Sequence, residues 1–329
     1  MLSTLATLSF KNSLASRINY EHNNVNNNLR VADLFCGVGG FSLGFKKAGI
    51  PILLGIDNWQ PACKVYSANH THELISQDIS NTKNVVDLLI ARNINGIIGG
   101  PPCQDFSNAG KRKEGCKASL TTAYATIISC VKPLFFVMEN VPRAATSKAY
   151  ATLKAETQKS GYKIGELMLN AAFCGVPQNR VRFISIGILD GDIEQIRQHI
   201  TNSLTSTPLT MQAYFKGKLN TKFYYRHPRN YSRRAIYNLA EPSATIRGVN
   251  RPIPANYVAH PNDAAKKQLA RPLTYVERGM VQSFPAKYKW LGSRTNIEQM
   301  IGNAVPPNLG KVIGKGIQFW IKQNSYMLQ

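Results

Sequence analysis

Apolar and polar positions alternate in blocks along the first half of the chain. RVADLF (30–35) predicts a short buried strand, followed by a glycine-rich turn and a helix, SLGFKKAG, that closes on Gly49. PILLGID (51–57) predicts a second strand, INGIIGG (94–100) a third and PLFFVMENV (133–141) a fourth. Helices are expected over 60–69, 85–92 and 119–132. Such strand–helix alternation implies a parallel sheet with helices on both faces, and ligands then bind beyond the carboxyl ends of the strands. The polar motifs of this half fall at those ends. QNRVRFISIG (178–187) predicts a further strand, with Arg180 and Arg182 on one face at period two.

The pattern changes near residue 190. From about 205 to 270 the chain is loop-rich in Pro, Asn, Arg and Tyr, and globular patterning returns after 270, ending in a helix expected over 308–323. Between Tyr214 and Arg251 there are nine basic residues and one acid, Glu241, interleaved with Tyr224, Tyr225, Tyr231 and Tyr237. A run of charge is ordinarily a solvated face. Here the neutralising acids are nearly absent, which favours a surface that contacts phosphates. The arginines that carry this reading are Arg226, Arg229, Arg233, Arg234, Arg247 and Arg251.

Composition sharpens the picture. Hydrophobic residues make up 43 % of 329, enough for a sizeable core. Forty Lys and Arg against 18 Asp and Glu give a formal charge of +22, which attracts polyanions, either nucleic acid or an anionic membrane surface. No run of 18 apolar residues exists, so no membrane span is expected. The first 28 residues lack an early positive region and are Asn-rich; they make a poor secretion signal and predict a polar arm with one short helix. Six cysteines form no CxxC pair, so no metal site is expected, and a reduced, cytoplasmic setting is the simpler one.

Four segments carry candidate chemistry. In DLFCGVGGFSLG (33–44), Gly37, Gly39 and Gly40 permit a tight turn and close approach to a ligand, a signal shared by dinucleotide, phosphate and adenosylmethionine sites. Asp57 ends the next strand, where a carboxylate can accept both ribose hydroxyls, and Asp78 stands where one can accept from an adenine amino group. Each acid alone is as well explained as a helix cap; the set points to a nucleoside cofactor. GGPPCQDFSNAG (99–110) presents Cys103 on a stiff turn followed by Lys111, Arg112 and Lys113. A free cysteine is more often a small buried hydrophobe than a nucleophile. This one sits on a polar loop beside cations, which favour the thiolate. Glu139 follows a buried strand, where a carboxyl must be paired or protonated. Arg180 and Arg182 together suit an anion or a carbonyl oxygen.

DLFCGVGG, GGPPCQDFSNAG, FVMENV, QNRVRF, RPLTYVERGMVQSFP and QMIGNAVPPNLG, in this order, resemble the bacterial DNA (cytosine-5)-methyltransferase family over about 30–189 and 271–315. The resemblance implies a doubly wound, Rossmann-like adenosylmethionine-dependent fold with a small inserted target recognition domain. It divides the chain into an arm (1–28), a catalytic part (29–189), a recognition domain (190–270) and a second catalytic part (271–329). It further implies transfer of a methyl group from S-adenosylmethionine to C5 of a flipped-out cytosine in duplex DNA. Cys103 resembles the nucleophile that adds to C6, and Glu139 the group at N3 and the amino group. Arg182 resembles the arginine near O2, and Arg180 the one that supports the catalytic loop and backbone. Phe35, Gly37, Gly39, Asp57, Asp78, Pro102 and Asn303 resemble the cofactor pocket. A monomer is implied, with a restriction endonuclease of the same site as a partner.

Three departures stand out: Asp105 where relatives carry a small residue, Met280 where arginine is common, and Asp57 in place of glutamate. None removes a catalytic group. A tRNA cytosine-5 methyltransferase shares much of the motif set, but the long basic insert favours duplex DNA. An amino-group DNA methyltransferase needs a DPPY-like motif, which is missing here. A catalytically dead relative would lack Cys103 or Glu139. A nicotinamide-dependent dehydrogenase explains the glycine turn and Asp57 but leaves PPCQ, ENV and QNRVR unused.

Overall fold

The computed structural model describes residues 28–102, 118–228, 230 and 232–324. Cys103, Arg229 and all of the arm except Asn28 lie outside the described residues. The first unit runs β1 (Val31–Leu34), α1 (Gly40–Lys47), β2 (Ile52–Asp57), α2 (Gln60–Asn69), β3 (Glu73–Ser76), α3 (Thr82–Ala91), β4 (Gly96–Gly99), α4 (Ala118–Val131) and β5 (Phe135–Asn140). Then come α5 (Lys148–Lys159), β6 (Lys163–Asn170), β7 (Gln178–Asn179), β8 (Val181–Ile188) and α6 (Ile193–Asn202). The strands expected from the apolar runs are found within a residue or two. β3, α5, β6 and α6 are additions to the expected set.

Seven strands form one sheet in the order β3-β2-β1-β4-β5-β8-β6. The expected all-parallel sheet needs one correction. β8 runs antiparallel to both β5 and β6, with Glu139 opposite Ile184 and Asn140 opposite Phe183. An apolar run encodes burial on both faces but not direction, so the reversal is invisible in QNRVRFISIG. Its effect is local and useful. The start of β8, with Arg180 and Arg182, lies at the same rim as the carboxyl ends of β1, β2, β4 and β5.

Each face of the sheet is covered by its own apolar layer, as a sheet buried on both sides requires. On one face Phe41 and Phe45 of α1 pack with Ile313, Ile317 and Trp320 of the last helix and with Ile196 and Ile200 of α6. On the other, Val85 and Leu89 of α3, Tyr124 and Ile128 of α4, and Tyr150 and Leu153 of α5 form the second layer.

The rest of the chain forms α7 (Met211–Phe215), β9 (Phe223–Tyr225), β10 (Ile236–Asn238), β11 (Ser243–Ala244), β12 (Ala270–Pro272), α8 (Tyr275–Val281), α9 (Arg294–Asn303) and α10 (Pro307–Gln323). β9 pairs with β10 antiparallel and with β12 parallel, giving a small three-stranded sheet. A separate apolar cluster joins Met211, Tyr224, Tyr237, Ile246, Val281 and Ile301. α8 begins with a capping box: Thr274 accepts from the Glu277 N–H, and Glu277 accepts from the Thr274 N–H. No helix among the described residues is long and apolar enough to cross a membrane, and no group of three His, Cys, Asp or Glu among them is placed to hold a metal ion.

Candidate active site

A cleft of about 550 Å³ opens at the rim where β1, β2, β4 and β5 end and β8 begins. Phe35, Gly37, Asp57, Asp78, Pro102 and Asn303 all line it, as do Glu139, Arg180 and Arg182. Of the expected cofactor residues, Gly39 alone does not line it.

The turn after β1 is shaped by backbone geometry. Phe35 adopts φ +58°, a left-handed conformation that costs a bulky residue of the order of 1–3 kcal/mol and clusters at functional sites. Gly39 has φ +82°, and a Cβ there would come within 2.1 Å of the His70 ring, so only glycine fits. Asp57 ties the turn to β2: one carboxylate oxygen accepts the Gly37 N–H at 2.8 Å, the other the Trp59 N–H at 2.8 Å. Burial pushes the Asp57 carboxyl up from the ordinary aspartate range, opposed by those N–H groups. Asp78 is exposed and accepts the Ser80 N–H at 2.8 Å, which holds its pKa below the ordinary value. Trp59, two residues past Asp57, also lines the cleft. An aromatic just after a strand-ending acid was its only signal in the sequence.

Glu139 and Arg182 face each other across the rim of the β5–β8 pair. Glu139 is 8 % exposed, and Arg182 Nε lies 2.8 Å from its Oε1. The contact is one of charge: among the described residues no donor is aligned for a hydrogen bond on Oε1. A buried carboxylate oxygen bordering a cleft without an aligned donor is fitted to receive one from a ligand. Asn140 donates to the Pro101 carbonyl at 3.1 Å, so the end of β5 braces the Pro-Pro turn that leads to Cys103.

Arg180 is buried to 2 % and works through backbone. Its Nη1 donates to Ile246 O at 3.3 Å, and its Nη2 donates to Gly302 O and Ala304 O, both at 3.1 Å. Burial lowers its pKa well below the usual arginine value, with Arg182 adding to the effect. The two carbonyls flank Asn303, so Arg180 fixes the wall on which Asn303 stands. A buried amide relay runs alongside. Gln178 accepts the Ile246 N–H at 2.8 Å and donates to Gln282 at 2.7 Å, and Gln282 donates to Ile301 O at 2.6 Å.

Asp33 was absent from the sequence-derived set. It borders the cleft, is 1 % exposed, and accepts the Ser42 hydroxyl at 2.6 Å and N–H at 3.1 Å. Burial lifts its pKa to about 7. Ser42 Oγ lies 2.8 Å from Tyr66 Oη, which lies 2.6 Å from His72 Nε2. His70 stacks on Tyr66 with centroids 4.4 Å apart. Burial lowers both histidines to about 4.

These shifts have opposite signs in stability. The histidines' folded pKa lies below the unfolded value of about 6.5, so their contribution is complete above 6.5 and lost as pH falls through about 4. Asp33's folded pKa lies above its unfolded value, so its contribution is complete below about 4 and lost as pH rises through about 7. The plot of thermal midpoint between pH 7 and pH 4 should therefore become shallower in His70→Gln and steeper in Asp33→Asn. Identical slopes in all three proteins would remove this account of the cluster.

The expected DNA-facing arginines divide by environment. Arg234 forms a two-pronged pair with Glu241 and lies 4.3 Å over the Tyr237 ring. Arg226 donates twice to Thr245 O, at 2.9 and 3.2 Å. Arg247 donates to His227 O. Arg233 and Arg251 are exposed.

The mainly parallel sheet, with the glycine turn, Asp57 and Asp78 lining one cleft where the strand order switches, defines a doubly wound α/β fold. Over residues 29–318 the chain matches the C-5 cytosine-specific DNA methylase family, and it belongs to that family. It is a DNA (cytosine-5)-methyltransferase of the bacterial modification type. The chain is 45 % identical to the Type II methyltransferase M.HgiDI of Herpetosiphon aurantiacus, over 90 % of this chain and 96 % of that one. It is 42 % identical to the Type II methyltransferase M.HindV of Haemophilus influenzae, over 88 % and 96 %. In fold it resembles the S. pombe Dnmt2 methyltransferase, with a TM-score of 0.65 and 18 % identity over 90 % of this chain and 99 % of that one.

Proposed function

We propose that this enzyme takes the methyl group from S-adenosylmethionine and places it on C5 of a cytosine flipped out of a specific duplex sequence, through a covalent bond between Cys103 and C6. The observation that carries this reading is the shared cleft. Asp57, Asp78, Gly37 of the glycine turn, Glu139 and the Pro101–Pro102 turn that leads to Cys103 all line it. S-adenosylmethionine supplies an electrophilic methyl group on sulfur. Asp57 accepts from the ribose hydroxyls, Asp78 from the adenine amino group, and Phe35, Gly37, Gly39, Pro102 and Asn303 shape the pocket around them.

C5 of cytosine does not attack a sulfonium unaided. Addition of the Cys103 thiolate to C6 makes C5 an enamine carbon, to which the methyl would pass as its bond to sulfur breaks and the bonding pair stays on the neutral thioether that leaves. Loss of the C5 proton to a base and expulsion of the thiolate then restore the ring. Glu139 binds N3 and the amino group and shares with N3 the proton that balances the charge thiolate addition puts on the ring. Arg182 donates to O2, and Arg180 holds the backbone beneath. The stacked duplex hides C6 from a thiolate, so the base is flipped. The segment 190–270 reads the target, with its arginines at phosphates and base edges. The enzyme works as a monomer on the DNA in the cytoplasm, and a restriction endonuclease of the same site is its partner; the Type II names of its relatives support that pairing.

Bisulfite sequencing of DNA from cells expressing the protein should show one short sequence with protected cytosines. Unprotected DNA together with labelled methyl groups in tRNA would overturn the DNA reading.

A further inference from the structure

Arg278 and Glu298 form an ion pair in which both side chains are nearly inaccessible, 4 % and 3 % exposed as residues. A buried pair of this kind is weak evidence for stability, because desolvation offsets most of the attraction. Its remaining donors and acceptors do not close on each other. Arg278 Nη2 donates to Arg247 O and lies 3.5 Å from Val249 O. The second oxygen of Glu298 accepts from Asn250 Nδ2 at 2.8 Å, and the same amide donates to Leu273 O at 2.9 Å. Residues 247, 249 and 250 are thus tethered to α8, to α9 and to the segment just before α8. The loop also lies directly on α9: a Cβ at Gly302 would come within 2.2 Å of Gly248 N. α9 ends on Asn303, in the wall of the cleft.

The surroundings load this arrangement with like charge. Arg226, Arg247 and Arg294 all act on Arg278, whose pKa falls to about 10 through burial and these neighbours. Glu298 is the buried acid that answers them. Either partner alone would leave an uncompensated charge beneath the loop.

We propose that Arg278, Glu298 and Asn250 are positioning residues for target selection: they fix loop 247–251, with Arg247 and the exposed Arg251, relative to the cleft, so that which duplex is methylated depends on a pair that never touches DNA. This rests on the reading of the enzyme as a duplex DNA methyltransferase. The substrate feature it governs is the base sequence next to the target cytosine.

The test uses the full chain and a pool of duplexes that differ one base pair at a time around the methylated cytosine. Three variants are compared with the wild type: Asn250→Ala, Glu298→Gln and the paired Arg278→Met/Glu298→Met, which keeps the volume and removes both charges. Each should lower the kcat/KM preference for the cognate duplex about ten-fold, the scale of one lost base contact. The change should appear in KM, with kcat on saturating cognate DNA and the affinity for S-adenosylmethionine unchanged. A purely structural role predicts a different outcome: a lowered thermal midpoint with the sequence preference intact at temperatures where the variant is folded. That result in Asn250→Ala, which leaves the ion pair in place, would overturn the proposal. So would losses confined to kcat or to cofactor affinity. Wild-type activity on the pool is measured first, so failure of the functional reading is seen separately from failure of this one.

Discussion

Cys103→Ser is expected to lose methyl transfer by roughly four orders of magnitude or more, which corresponds to ~5 kcal/mol of barrier. In the proposed mechanism the thiolate is the attacking species, and a serine hydroxyl stays protonated at neutral pH. Binding to the cognate duplex should survive, because phosphate and base contacts do not use this side chain. Labelled-methyl incorporation measures the first effect and a gel shift the second. DNA with 5-fluorocytosine at the target sharpens the test, since its C5 substituent cannot leave. The wild type should give a denaturation-resistant adduct that the serine variant does not form. Wild-type turnover in Cys103→Ser would sink the covalent route.

The second large effect belongs to stability. Arg180→Ala removes the shared donor of Ile246 O, Gly302 O and Ala304 O and leaves a cavity where a fully buried side chain stood. Breaking a buried charged network of this kind costs about 3–5 kcal/mol. The thermal midpoint should fall by several degrees, and cofactor affinity should fall with it, because Asn303 loses its fixed wall. Lysine should not rescue the variant, since a point charge on a flexible stem cannot span three carbonyls. An unchanged midpoint in Arg180→Ala would show that the carbonyls find other donors and that the network is dispensable.

How much of this was legible in the sequence depended on how local each signal was. β1, β2, β4 and β5 are short apolar runs bounded by Gly, Pro or acids, and their burial on both faces made them plain. β3 and β6 were missed for the opposite reason: they are edge strands with half-exposed positions, and ELIS and KIGELMLN carry charges among their apolar residues. The direction of β8 had no local signal at all, since pairing with β5 sets it. The site followed the same rule. Glycine turn, Asp57, Glu139 and the arginine pair were visible because each sits in a compact motif. Asp33 read as an ordinary part of a strand, and nothing nearby showed that Ser42 would bury it. Arg278 and Glu298 have no local signal in the sequence, because partners 20 residues apart meet only after α8 and α9 pack. All six basic-insert arginines carried the phosphate-contacting expectation, yet Arg226, Arg234 and Arg247 spend donors on protein acceptors.

The packing of α1 against α10 has a consequence for how the protein is made. Phe41 and Phe45 share their apolar layer with Ile313, Ile317 and Trp320, about 270 residues later in the chain. One wall of the cleft comes from residues 33–59 and another from 299–305. On the ribosome, at about 5–20 residues per second, the early half of the sheet must wait for tens of seconds with that face uncovered. Shortening the chain by its last 20 residues removes the cover for good. Nascent chains stalled before residue 300 should therefore be held by chaperones, and none of them should bind the methyl donor until the final helix has left the exit tunnel.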